Sequence, residues 1–118
     1  MNIYKFYNKP KELEYWDTTV TKPGVLSTKQ YFKNGRLHRE DGPAIEMSNG
    51  TKEWYNNGQL HREDGPAIET QYGIKRWYKN DDRHREYGPA VEYPNGDNEW
   101  HLNNIEYSEN EWKKKLGK

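Results

Sequence analysis

A seven-residue block recurs along this chain at a fixed interval. His-Arg-Glu-Asp-Gly-Pro-Ala occupies residues 38–44 and again residues 61–67, and His-Arg-Glu-Tyr-Gly-Pro-Ala follows at residues 84–90. The interval is 23 residues each time, with no insertion or deletion. A fixed period of this length indicates a tandem-repeat architecture in which each unit packs on its neighbours. The period therefore constrains the fold much more tightly than it constrains the function.

Each repeat contains two predicted turns. Residues 57–58 are Asn-Gly between strand-like flanks, which is typical of a two-residue hairpin loop because both positions need positive φ. We expect the returning strand to continue through residues 61–63 and to break at residues 64–66, Asp-Gly-Pro, because proline has no N–H for a sheet. A second turn, at residues 72–73, leads back to the next Asn-Gly position.

This pattern predicts an all-β protein. We expect an elongated, twisted antiparallel sheet of tandem 23-residue β-hairpin repeats with a short C-terminal capping helix. The 118 residues form a single repeat domain. A divergent N-terminal repeat is followed by three repeats, a partial repeat, and a capping helix with its tail. These segments are residues 1–30, 31–53, 54–76, 77–99, 100–107 and 108–118.

The last segment has the sequence of a short helix. Ser108 and Glu111 have the spacing of a capping box, and Trp112 and Leu116 would share one helical face. Three lysines between them suit the negative end of the helix dipole. We predict a helix over about residues 109–116 that covers the edge of the last strand.

Composition narrows the class of protein. Lys+Arg and Asp+Glu both number 19, and a zero net charge argues against a general nucleic-acid binder. Hydrophobic residues make up only 31%, but ten Tyr, five Trp and two Phe can supply large buried rings. The chain has no cysteine, no signal-peptide pattern and no apolar stretch of membrane-span length. We therefore expect a cytoplasmic protein without a membrane span.

The repeat unit resembles a known family. Its form, Trp-Tyr-x-Asn-Gly-x-x-His-Arg-x-Asp-Gly-Pro-Ala-x-Glu, is similar to a variant of the MORN-type repeat found in bacterial and bacteriophage proteins. The resemblance covers residues 30–118 well and the first 29 residues weakly. It implies a repetitive β-sheet fold and a role in protein–protein scaffolding, with lipid binding and antitoxin-like roles also associated with such repeats. It brings no catalytic residues with it.

The repeated polar block has two interpretations. On a strand, His61 and Glu63 would point one way, and Arg62 and Asp64 the other. Arg62 and Asp64 could then pair and brace the corner before the proline. Alternatively, the histidines and arginines form a ladder that binds a partner. The structural reading concerns Asp41, Asp64, Pro43, Pro66 and Pro89. The binding reading concerns His38, Arg39, His61, Arg62, His84 and Arg85.

Metal binding and catalysis are not expected of this block. If each repeat adds two strands, equivalent histidines lie about 10 Å apart, which is too far for two of them to share one ion. No nucleophile recurs with the histidines, and no glycine-rich loop has the form of a phosphate-binding motif. We predict no enzyme, no cofactor and no metal site.

Two aromatic columns also follow the period. Trp54, Trp77 and Trp100 recur at one position, and we interpret them as a packed structural spine. Tyr55 and Tyr78 occupy the next position and should face the other way, which makes them the better candidates for binding.

The third repeat departs from the other two. Asp81 and Asp82 follow Asn80 where the second repeat has Gly58-Gln59, and Tyr87 replaces Asp64. The substitution by Tyr87 removes the acidic partner of Arg85 and should free that side chain. We therefore include Asp81, Asp82 and Tyr87 among the candidate binding residues.

These observations favour a non-enzymatic protein–protein interaction module. By resemblance, it could be a phage or bacterial inhibitor of a host defence or toxin protein. A second hypothesis is a protein that sequesters a small ligand or nucleotide through its repeated Arg and aromatic side chains. A third is a binder of nucleic acid or anionic lipid, which would need a segregated basic face and strong salt dependence.

Overall fold

A computed structural model describes residues 27–118 in full and, before them, the backbone of two strands. The predicted divergent repeat, residues 1–30, lies mostly outside the described residues. The two strands within it are β1 (Asn2–Tyr4) and β2 (Glu14–Thr19), and they pair antiparallel.

The described residues otherwise form short strands and one helix. In chain order these are β3 (Thr28–Lys33), β4 (Arg36–Leu37), β5 (Ile45–Met47), β6 (Lys52–Glu53), β7 (Tyr55–Asn56), β8 (Gln59–Leu60), β9 (Ile68–Glu69), β10 (Lys75–Arg76), β11 (Tyr78–Lys79), β12 (Asp82–Arg83), β13 (Val91–Glu92), β14 (Trp100–Leu102), β15 (Ile105–Tyr107) and α1 (Glu109–Lys115). The predicted all-β architecture with a short C-terminal helix is confirmed.

One antiparallel sheet runs the length of the described structure. Its strand order is β1-β2-β3-β5-β6-β9-β10-β13, with β4 paired to β3. The repeats over residues 31–53 and 54–76 contribute the pairs β5–β6 and β9–β10 to this central sheet, and the third repeat contributes β13, which Glu99 joins through an isolated bridge to Val91. The molecule is thin, with principal extents of 52 × 37 × 18 Å.

The remaining strands, together with the end of β3, form a second row of hairpins, here called the tip hairpins: β3–β4, β7–β8, β11–β12 and β14–β15. The predicted Asn-Gly turn closes β7–β8, with φ of 50° at Asn57 and 84° at Gly58. Successive tip hairpins are joined by backbone hydrogen bonds, for example from Gly58 N–H to Leu37 O at 2.8 Å. The tips therefore stack beside the central sheet.

Residues 38–43, 61–66 and 84–89 connect the tip hairpins back to the central sheet, and we call them the corner loops. The strand predicted for residues 61–63 is wrong, because β8 ends at Leu60 and the backbone then leaves the sheet. The side chains of each loop form hydrogen bonds with its own turn and with the neighbouring repeat, as described below. These bonds take the place of the backbone hydrogen bonds of a β-sheet.

The apolar core is small. It consists of Ala44, Ile45, Ala67, Ala90, Val91, Leu102 and Trp112. The alanine that ends each repeated block is fully buried, and its carbonyl accepts the backbone N–H of the aromatic residue that opens the same repeat, as Ala67 does from Trp54 at 2.7 Å. A residue larger than alanine at this position would have to push apart the two backbone segments that this hydrogen bond joins.

Helix α1 closes the C-terminal end. Ser108 and Glu111 make both hydrogen bonds of the predicted capping box. Trp112 is buried, its ring centroid lies 4.6 Å from that of Trp100, and its Nε1–H donates to Arg85 O at 3.0 Å. The helix thus packs on the last tip hairpin and bonds to the last corner loop.

Candidate functional site

The arginine of each corner loop lies over the aromatic ring that opens its own repeat. The guanidinium carbon of Arg62 is 3.8 Å from the ring centroid of Trp54, and the equivalent distances for Arg39 and Arg85 are 3.9 and 3.7 Å. A Cβ on Gly65 would lie 2.9 Å from the guanidinium carbon of Arg62, so the loop glycine leaves room for this packing. The contact is a repeated cation–π interaction.

The same arginines are held by hydrogen bonds. Arg62 donates to Pro66 O at 3.1 Å, to Glu69 at 2.9 Å and to Asp64 at 3.1 Å. The predicted pairing of Arg62 with Asp64 is therefore present. Arg85 lacks the aspartate yet still donates to Pro89 O at 3.1 Å and to Glu92 at 2.8 Å. The expectation that Tyr87 frees Arg85 is wrong, because the glutamate and the proline carbonyl hold its guanidinium without help from position 87.

The histidine of each corner loop connects one repeat to the next. Nδ1 of His38 accepts the backbone N–H of Asn57 at 3.0 Å. His61 and His84 accept in the same way from Asn80 and Asn103, at 3.1 and 2.9 Å. An accepting Nδ1 leaves the ring proton on Nε2. We call this contact the histidine latch.

The second ring nitrogen faces a glutamate of the same loop. Nε2 of His61 lies 2.7 Å from Glu63, and Nε2 of His84 lies 3.1 Å from Glu86, which lowers the pKa of Glu86. His38 differs, because its Nε2 is buried without a hydrogen-bond partner and lies 3.8 Å from Glu40. The imidazoles are thus largely enclosed: His38 is 5% exposed.

The tyrosines predicted to bind occupy different environments. Tyr55 and Tyr78 are half-buried, and their hydroxyls bond to Glu53 at 2.9 Å and to Arg83 at 3.1 Å. Burial and the Glu53 carboxylate raise the pKa of Tyr55. Tyr87 is 88% exposed, beside the Nζ of Lys118, which lies 5.2 Å from its ring centroid.

The remaining predicted residues also have defined places. Trp54, Trp77 and Trp100 are half-buried, because a guanidinium or the Trp112 ring packs against each of them in a thin sheet. Asp81 keeps the hairpin turn with φ of 70°, and its carboxylate accepts the backbone N–H of Leu60 at 2.8 Å. Asp82 is exposed in β12.

Two grooves lie between successive corner loops. The first has a volume of about 710 Å³ and is lined by residues 38–42, 54–56 and 61–64. The second, of about 480 Å³, is lined by residues 61–66, 77–79 and 84–87. Both are open depressions with a half-buried aromatic pair on the floor, Trp54 and Tyr55 in the first. We call the row of corner loops with its grooves the corner face.

The rim of the first groove is acidic. The exposed fractions of the side chains are 75% for Glu40, 89% for Asp41, 83% for Glu63 and 87% for Asp64. Arg39 and Arg62, in contrast, are only 24% and 22% exposed. The corner loops therefore display their carboxylates and enclose their guanidinium groups.

Sequence reasoning missed several residues of this face. It did not select Glu40 and Glu63, although their place in a charged loop was a usable signal. It also missed the glutamate that ends each motif, represented by Glu69, as a partner of the arginine. The recurrence of Glu at residues 46, 69 and 92 was the signal that could have identified it.

Within residues 27–118, one group of metal-ligand type brings three side chains together, namely Glu99, His101 and Glu106. It lies at the last tip hairpin and includes none of the repeated histidines. The helix α1 is seven residues long, and no helix of the described residues has the length and apolar character to cross a membrane.

Comparisons of the chain with protein-family models, curated proteins and solved structures find no match.

Proposed function

We propose that this protein is a non-enzymatic protein–protein interaction module and that the corner face is its binding surface. Two neighbouring grooves of similar construction support the proposal, because repeat proteins commonly bind partners along a regular surface of this kind. Each groove combines half-buried aromatic rings with polar groups, and tyrosine and tryptophan are enriched at protein interfaces.

The observation that carries the proposal is that the negative groups of the corner face are exposed while its positive groups are covered. Carboxylates of the first two corner loops are at least three-quarters exposed, while the arginines between them are about three-quarters covered. A partner approaching the first groove therefore meets negative charge. The matching partner is a protein segment that carries lysine or arginine side chains.

The floor of the first groove suits such a side chain. The methylene stem of a lysine can lie against Trp54 and Tyr55 while its ammonium group meets the carboxylates of Asp41 and Asp64. The second groove is less acidic, because its far rim carries Tyr87 in place of an aspartate and Lys79 lies within it. We expect the first groove to bind the more basic part of the partner.

The nucleotide-sequestering alternative receives less support. It would need arginines that are available to phosphate, but Arg39, Arg62 and Arg85 already pair with glutamates and pack on rings. Inhibition of a host defence or toxin protein, which the family resemblance implies, is one role that binding through this face would serve.

Fluorescence anisotropy with labelled peptides tests the proposal. A short extended Lys- and Arg-rich peptide should bind the chain with an affinity that falls as salt is added, and an acidic peptide of equal length should not bind. Removal of two rim charges in Asp41→Asn/Asp64→Asn should weaken binding by about fivefold. The control Asp97→Asn/Glu109→Gln removes the same charge from exposed positions elsewhere and should leave the affinity unchanged.

Two results would contradict the proposal. One is equal weakening by both double variants, which would show that only net charge matters. The other is the absence of binding by any basic peptide when the protein is folded.

A further inference from the structure

We propose that Glu99, His101 and Glu106 form a binding site for a divalent first-row transition metal ion, with Zn²⁺ as the best fit. The site shares no residue with the corner face and does not depend on the proposed function. It lies on the last tip hairpin, β14–β15, where His101 and Glu106 are direct cross-strand neighbours. Glu99 comes two residues before His101.

A comparison within the chain singles out this hairpin. The three positions recur in every repeat, and the other repeats fill them with Gln30, Phe32 and Leu37, with Glu53, Tyr55 and Leu60, and with Arg76, Tyr78 and Arg83. Only at residues 99, 101 and 106 do all three positions carry side chains that ligate metal. An aromatic–aliphatic contact has thus become an imidazole between two carboxylates.

The geometry fits a single ion. One ligand atom from each residue lies within 4.8 Å of the other two, and Nε2 of His101 is 3.0 Å from Glu99. In a tetrahedral zinc site with metal–ligand distances of about 2.0–2.2 Å, neighbouring ligand atoms lie about 3.3–3.6 Å apart. Because Glu106 is exposed, its side chain can change rotamer to bring its carboxylate to this distance, and the ion has a path from solvent.

His101 is a buried imidazole whose Nε2 faces Glu99. It is 5% exposed, and its Nδ1 is buried without a hydrogen-bond partner. The corner-loop histidines use Nδ1 for the histidine latch, but His101 lies at the tyrosine position and has no such contact. The protein therefore uses only one nitrogen of this buried imidazole.

The surroundings orient the first carboxylate. Glu99 accepts from Tyr93 Oη at 2.9 Å, an outer contact of the kind that holds metal-ligating carboxylates in place. Arg83 opposes a cation, because its Nη1 lies 3.7 Å from Glu99.

The donor set indicates the class of ion. One imidazole and two carboxylates suit borderline ions such as Zn²⁺, whereas Ca²⁺ and Mg²⁺ prefer oxygen ligands only. Three protein ligands leave at least one position for water. A bound ion would join the two strands of the hairpin on which α1 packs, and it should raise the melting temperature of the whole chain.

Isothermal titration of the untagged, chelator-treated protein with Zn²⁺ tests the site. We expect one ion per chain and a higher melting temperature with zinc. His101→Tyr and Glu106→Leu introduce the residues found at positions 55 and 60, so both variants should fold, and both should lose at least about tenfold in affinity. Arg83→Leu introduces the residue found at position 60 and should strengthen binding by removing the opposing charge.

The control variant is Asp97→Asn, which removes a neighbouring exposed carboxylate and should bind zinc as the wild type does. With Co²⁺ in place of Zn²⁺, the visible absorption spectrum should change with loss of His101 and not with loss of Asp97. The proposal is overturned if the folded wild type shows no saturable binding, or if His101→Tyr and Glu106→Leu both retain wild-type affinity and melting shift.

Discussion

The second and third corner loops have nearly the same sequence and differ at one position, Asp64 against Tyr87. Their arginines nevertheless occupy the same place. Arg62 and Arg85 lie 3.8 and 3.7 Å from their rings and donate to the same proline carbonyl and glutamate positions. The position of the arginine therefore depends on the aromatic ring, the glutamate and the proline carbonyl of the turn. The aspartate of the loop is a surface group that is available for other contacts.

The largest effect should come from removing the arginine. Arg62→Ala should lower the free energy of unfolding by about 2–3 kcal/mol, because it removes the cation–π contact and leaves Glu69 and Pro66 O without their donor. Arg85→Ala should cost the same to within about 0.5 kcal/mol if the aspartate contributes little. Urea unfolding measures both free energies. A much smaller loss for Arg85→Ala would mean that Asp64 contributes to the stabilisation by Arg62.

The histidine latch should come next. His61→Ala should cost about 1–2 kcal/mol, because the backbone N–H of Asn80 loses its acceptor. His84→Ala should have a similar effect through Asn103. His61→Asn places an acceptor near the position of Nδ1 and should recover part of the loss in thermal unfolding. Equal losses for Ala and Asn at residue 61 would mean that ring packing matters and the latch does not.

An exchange of the differing residue should have a smaller effect on stability. Asp64→Tyr and Tyr87→Asp should each change the free energy of unfolding by no more than about 0.5 kcal/mol, because the pair that Asp64 forms is largely exposed. In the peptide anisotropy measurement the two should act in opposite directions, with Asp64→Tyr weakening and Tyr87→Asp strengthening the binding of a basic peptide. If both variants changed the peptide affinity in the same direction, the charge of the rim would not be what determines binding.

The smallest effect concerns acid stability in the third loop. Hydrogen bonding to His84 lowers the pKa of Glu86 from its usual value of 4.5. A carboxylate whose pKa is lowered in the folded state contributes stability above its unfolded pKa and loses that contribution as the pH falls through the folded value. Glu86→Gln should therefore reduce the loss of unfolding free energy below about pH 4.5 by about 0.3 kcal/mol. Parallel pH profiles for wild type and variant would contradict this.

Local chemistry was predictable from the sequence. The turn at residues 57–58, the capping box at Ser108 and the pairing of Arg62 with Asp64 each depend on residues a few positions apart. Such contacts follow from the backbone preferences of the residues concerned.

Contacts between repeats were not predictable in the same way. His38 bonds to Asn57 and Asp81 to Leu60, and both contacts require the register in which neighbouring tip hairpins stack. The sequence period shows that equivalent residues align. It does not show which side chain contacts the next repeat. The strand prediction for residues 61–63 is wrong for a different reason, because Pro66 O and Glu69 become partners of Arg62 only once the corner is folded.

The stacking of Trp112 on Trp100 has a consequence for the length of the molecule. In the three repeats over residues 31–99 a guanidinium packs on the opening ring, and on Trp100 the indole of Trp112 takes that place. Because α1 packs on the partial repeat that it follows and bonds to the corner loop of the last complete repeat, it can follow any number of complete 23-residue repeats. Insertion or deletion of one whole 23-residue unit should therefore leave the packing of α1 on the last hairpin intact, so that the number of grooves can change without redesign of the helix.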